Sequence, residues 1–139
     1  MAVGASKFPM NRREVDIIHK DGRFQVLLAS KPMPLDLAEL AREAGYQMPA
    51  LCERIGTSER QLRRLFVEGL GISPKDWLKQ QRMVAARYML RSGAATVKEV
   101  AFELGFANAK MFSRDFVTFY GVRPTEFQRQ ETARILEKL

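Results

Sequence analysis

Apolar residues recur along most of this chain at helical spacing. Leu35, Leu37, Ala38, Leu40, Ala41 and Ala44 form one stripe, which ends at Gly45. Pro49 stands near the start of a second helix, where proline is tolerated, and that helix runs through Leu51, Cys52 and Ile55 to Gly56. Thr57 or Ser58 caps a third helix carrying Leu62, Leu65 and Phe66, which ends near Gly69 to Gly71. Ser73-x-x-Asp76 with Pro74 opens a long helix to about Arg91, closed by Ser92-Gly93. Thr96 with Glu99 resembles a capping box, and Val97, Val100, Ala101 and Leu104 make the apolar face of the helix that follows, up to Gly105. Phe106 and Asn108 lead into a helix with Phe112, Phe116 and Phe119, and Gly121-Val122-x-Pro124 starts the last one, through Phe127. The charged tail to Leu139 either extends that helix or frays. From Leu35 onward everything reads helical.

Residues 1–34 follow another pattern. Val15-Asp16-Ile17 and Phe24-Gln25-Val26-Leu27-Leu28 flank Lys20-Asp21-Gly22, and Asp-Gly between apolar runs signals a hairpin. Asn11 with Glu14 would instead cap a short helix. The hairpin is the preferred reading. Lys31-Pro32-Met33-Pro34 breaks any regular element and reads as a linker.

Within the helical part, residues 62–77 reappear at 112–127. Leu62-x-Arg64-x-Phe66-Val67 matches Phe112-x-Arg114-x-Phe116-Val117, and Gly71-Ile72-x-Pro74-x-x-Trp77 matches Gly121-Val122-x-Pro124-x-x-Phe127. A constant register of apolar, Arg, Gly and Pro positions implies two copies of one supersecondary unit. Each copy is a short helix, a glycine turn and a second helix. Cys52 and Ala101 supply the small residue where the second helix crosses the first. Gly56 and Gly105, each four residues on, sit where a positive φ is needed. The spacing from glycine to the first apolar anchor is one residue longer in the second copy, Gly105 to Phe112 against Gly56 to Leu62. These are helix-turn-helix units. The fold class is therefore all-α, two helix-turn-helix units joined by a long linker helix, with a small N-terminal hairpin.

Charge sharpens this picture. The net charge is +7 and the pI about 9.9, which suits a polyanionic partner. Residues 57–92 hold eight Lys or Arg against three acidic residues, whereas residues 35–56 hold two against four. The basic excess is thus local to the first copy and the segment after it, plus the N-terminal arm. A single cysteine, Cys52, excludes an internal disulfide and a cysteine-rich metal site. His19 is the sole histidine and lies far from Cys52 in the chain, so no catalytic pair is expected, and no cofactor or metal either. No apolar run approaches the roughly 18 residues of a membrane span. No secretory signal is evident, and a cytoplasmic location is expected.

The string from Gly105-Phe106 through Phe112-Ser113-Arg114-Asp115-Phe116 to Gly121-Val122-Arg123-Pro124-Thr125-Glu126-Phe127 resembles the second-unit signature of the AraC/XylS transcription regulators. Leu62-Arg63-Arg64-Leu65-Phe66 and Gly71-Ile72-Ser73-Pro74 match the first unit. The resemblance covers about residues 35–129. It implies sequence-specific binding of double-stranded DNA and transcriptional control, with RNA polymerase as a further partner. The organisation expected is 1–34 as an N-terminal arm or linker and 35–129 as the DNA-binding domain, followed by 130–139 as a charged tail. Within the domain the first unit spans about 35–73, the linker helix about 74–92 and the second unit about 93–129. Such regulators commonly carry a separate sensing and dimerisation domain, for which 34 residues are too few. The chain is expected to be monomeric as it stands, and dimeric where such a domain is joined to it.

The recognition helices are expected at about 58–68 and 108–119. On the first, Leu62, Leu65 and Phe66 should face inward and Arg60, Gln61, Arg63 and Arg64 toward DNA. Arginine suits bidentate contact with guanine and also contacts phosphate, so which arginine reads bases stays open. On the second, Asn108, Ala109, Lys110, Ser113 and Arg114 align with the family's contact positions. Ala109 offers only apolar contact, for instance to a thymine methyl. Asp115 and Glu103 make this surface less basic, so the first unit should supply more of the affinity. Phe106, Phe112, Phe116 and Phe119 have the spacing of core residues rather than of a stacking platform. A joining helix of roughly 18 residues spans about 27 Å, which with its turns suits recognition helices about one DNA turn apart on an asymmetric site. The competing class is a protein-interaction module that uses the acidic 35–56 face.

Overall fold

Asp36 fixes where the helices begin. Its carboxylate accepts hydrogen bonds from the Ala38 and Glu39 backbone N–H groups, at 2.9 and 3.4 Å, so the first helix starts at Leu37. Leu35 is therefore not helical, contrary to the sequence reading. Leu35 and Asp36 form a short strand whose backbone pairs with Val26 and Gln25. The computed structural model describes residues 15–138. The alternative helix cap at Asn11 and Glu14 lies outside the described residues.

A hairpin opens the described chain. Strands β1 (Val15–Lys20) and β2 (Arg23–Leu28) are antiparallel, and β3 (Leu35–Asp36) adds to β2. Lys20 faces Arg23 in the register, so the loop is the two residues Asp21 and Gly22, at φ 54° and 76°. Two positive φ values belong to a type I′ turn, whose twist matches the strands. Seven helices follow among the described residues: α1 (Leu37–Glu43), α2 (Met48–Ile55), α3 (Glu59–Leu70), α4 (Pro74–Arg91), α5 (Val97–Glu103), α6 (Ala109–Tyr120) and α7 (Pro124–Glu137). The tail thus continues α7 to Glu137.

The chain divides into two compact units, the first ending at Lys79 and the second starting at Gln80. The division falls inside α4. In the first unit Val15, Ile17 and Val26 are buried in one cluster with Leu37, Leu40, Leu51, Ile55, Leu62, Leu65, Phe66 and Trp77. Residues 15–28, read from sequence as part of an arm, therefore join the core of the first helix-turn-helix. The backbone carbonyl of Ile17 lies 3.5 Å from where a Cβ on Gly69 of α3 would be, so β1 runs close against that helix. Trp77 closes this core edge-on against Phe66, with ring centroids 5.4 Å apart.

In the second unit Met83, Ala86, Leu90, Val100, Ala101, Leu104, Phe112 and Phe116 are buried. Phe112, Phe116 and Phe127 stand in a row of ring contacts, each 5.7 Å between centroids. Phe119, expected in this core, is 41% exposed. The stripe set by Phe112 and Phe116 continues at Tyr120, four residues on, whose hydroxyl donates to the Met83 carbonyl at 3.0 Å. Gln128 of α7 donates to the Leu90 and Ala95 carbonyls, at 3.3 and 2.8 Å, and so ties the last turn of α4 to the loop before α5. The carboxylate of Glu131, 8% exposed, is held by Arg91 at 3.4 Å and Arg134 at 3.0 Å.

Candidate nucleic-acid interface

Each candidate recognition helix is set by its ends. Gly56 closes α2 at φ 84°, and its N–H and that of Thr57 both donate to the Cys52 carbonyl. Ser58 then caps α3, its hydroxyl accepting from Gln61 N–H at 3.1 Å. In the second unit Thr96 and Glu99 complete the capping box of α5, Gly105 turns at φ 78°, and Asn108 caps α6 through its amide oxygen, 2.9 Å from Met111 N–H. Gly71 and Gly121 end the two helices at φ 74° and 76°. One pattern of caps and left-handed glycines thus builds both units.

The buried stripes place the remaining side chains. On α3, Leu62, Leu65 and Phe66 face inward, and Arg60, Arg63 and Arg64 are exposed. Gln61 is half-buried beside Cys52, Gly56 and Ser58 in a shallow groove at the turn. Arg63 pairs with Glu59 one turn back, at 3.5 Å, an exposed contact worth a few tenths of a kcal/mol by the ~0.3–0.5 kcal/mol typical of such pairs. On α6, Lys110 and Arg114 are exposed, while Ala109 and Ser113 are half-buried. Arg114 lies 3.8 Å from Asp115, which tempers the positive field of this face. Met111 and Val117 add exposed apolar surface to the same helix. Asn108 differs from the other candidates, because its amide oxygen accepts the cap hydrogen bond while its N–H₂ group takes no part in the cap.

Arg82 is absent from the candidates read out of the sequence. Its Nε donates to the Leu104 carbonyl at 2.8 Å, and its guanidinium carbon stands 3.6 Å above the centre of the Phe106 ring. Burial lowers its pKa from the usual arginine range, with Asp115 acting in the other direction. The available signal was positional. Leu78, Arg82 and Met89 share one side of α4, and Arg82 interrupts an otherwise apolar face. Cys52 is buried, and burial pushes its thiol up, away from reactive thiolate. Its burial suits the small-residue position expected of it from the sequence.

These features agree with comparisons to known proteins. The family model described as "Helix-turn-helix domain" matches residues 51–130, more than half of the chain. The HTH-type transcriptional activator RhaS of Escherichia fergusonii is 33% identical over 86 residues, covering 62% of this chain and 31% of the relative. The RhaR activator of Pectobacterium atrosepticum is 33% identical over 87 residues, covering 63% and 31%. The DNA-binding domain of AdpA, a global transcriptional factor solved in complex with a target DNA, is 29% identical with a TM-score of 0.61, covering 70% of this chain and 94% of that one. The chain belongs to the family of AraC-type helix-turn-helix domains. It spans about a third of the length of the curated relatives it matches, 31% and 30% for the first two.

Proposed function

We propose that this chain is the DNA-reading part of a sequence-specific transcription regulator. In this reading α3 and α6 each enter a major-groove segment of one asymmetric site. Arg60, Gln61, Arg63 and Arg64 contact DNA from α3, and the N–H₂ group of Asn108 with Ala109, Lys110, Ser113 and Arg114 from α6. The observation that carries the proposal is that two helices with matching caps and buried stripes both turn basic residues to solvent. The AdpA domain, similar in sequence and fold, was solved in complex with a target DNA. No catalytic step is assigned to the chain, one chain serves one site, and RNA polymerase is the further partner in transcription.

Selection of bound sequences from a random DNA pool tests this. A long asymmetric motif is the expected result. Absence of enrichment would sink the DNA-reading proposal and favour a protein-binding role for the acidic 35–56 face.

A further inference from the structure

Leu104 is the C-cap of α5, at the end of a helix, where backbone carbonyls have no next turn to donate to them. Arg82, on α4, supplies the donor at 2.8 Å. The carbon of the same guanidinium stands over Phe106, 3.6 Å from the ring centre. Phe106 in turn meets Phe112, the first buried anchor of α6, at 5.1 Å between centroids. One side chain therefore grips both the carbonyl before Gly105 and the ring after it. That turn is the joint from which α6 departs. The first unit has no aromatic at the matching place, since Thr57 follows Gly56 where Phe106 follows Gly105. The second turn is also the longer of the two by one residue, and so has more freedom to be restrained.

We propose that Arg82 is a positioning residue for base reading by the second unit: it sets the angle of α6 by clamping the Leu104–Phe106 turn, without itself touching DNA. The inference rests on the DNA-reading proposal above. It assigns a half-buried basic residue of the positive 57–92 segment to a contact within the protein rather than to DNA. It also separates two properties of that side chain. A lysine at position 82 keeps the charge, but it cannot offer a planar group to Phe106 and an Nε–H to Leu104 together.

The test compares base-preference profiles of the wild-type chain with Arg82→Ala, Arg82→Lys and Phe106→Leu, each well below its melting temperature. Arg64→Ala and Arg114→Ala profiles mark the base positions governed by α3 and by α6. The expected result is a loss of discrimination of roughly tenfold at the α6 positions, within the range of one lost base contact. The α3 positions and the salt dependence should stay as in the wild type. A uniform loss at every position, with the salt slope reduced by about 1, would make Arg82 a phosphate contact and overturn the proposal. Unchanged profiles would overturn it as well. If Arg82→Ala fails to fold, a lysine variant that reads DNA as the wild type does shows that charge suffices, and this also overturns it. If the wild-type chain selects no sequence, the DNA-reading proposal itself has failed, which is a distinct result.

Discussion

Gly56 illustrates how much a single backbone angle decides. At φ 84° it turns the chain between α2 and α3, and a Cβ built there meets nothing within 4 Å. The cost of Gly56→Ala is therefore conformational rather than steric, and the expected destabilisation is about 1–2 kcal/mol by urea unfolding. A substitution without effect would mean that the turn relaxes to another geometry. Arg64 poses a different question at the same scale, base or phosphate. Arg64→Ala should weaken binding to the selected site by about 1–3 kcal/mol if it reads a base. An equal loss on all sequences, measured by fluorescence anisotropy, would assign it to phosphate instead. Cys52 and Ala101, the small residues expected where two helices cross, are both buried.

Among elements, the hairpin is the least expected contributor. Val26 is fully buried in the cluster that also holds Leu62 and Phe66 of α3. Val26→Ala should cost about 2 kcal/mol in denaturant unfolding, by the measure of buried-methyl deletions. A loss under about 0.5 kcal/mol, the usual range of surface changes, would show that the hairpin does not share the core. The helix limits were largely legible because each is encoded locally. Ser58, Thr96 and Asn108 are caps, and Gly56, Gly105 and Gly121 are stops, within four residues of the ends they set. The Asp21-Gly22 turn was legible for the same reason. What escaped depends on partners distant in the chain. Leu35 becomes a strand only because Val26 is there to pair with it, and the Tyr120 hydroxyl finds its acceptor at Met83. The Arg82 grip on Leu104 joins residues 22 positions apart, and the pattern of α4 marks Arg82 without marking its partner.

For the molecule as a whole, charge and repeat make one argument. The candidate surfaces carry Arg60, Arg63 and Arg64 on α3 and Lys110 and Arg114 on α6, in a chain of net charge +7. Each phosphate neutralised should add about 0.9 to the slope of log affinity against log salt. A slope of about 3 or steeper is expected across a salt titration, and flat affinity would contradict a phosphate-dominated interface. The two units share caps, glycine turns and buried stripes, yet differ in surface, with Arg63 in one where Ser113 stands in the other. The repeat was legible because core positions tolerate few residue types. The candidate contact residues rest on alignment with a family, and only bound DNA distinguishes their individual roles.

The contact of β1 with Gly69 has a mechanical consequence. The Ile17 carbonyl rests against the last turns of α3, and Val15 and Ile17 are buried in that helix's own core. A force applied at Val15 would meet ordered backbone at once. It would load a strand paired along its length with β2 and packed on α3, so tension there is passed to the helix proposed to read DNA.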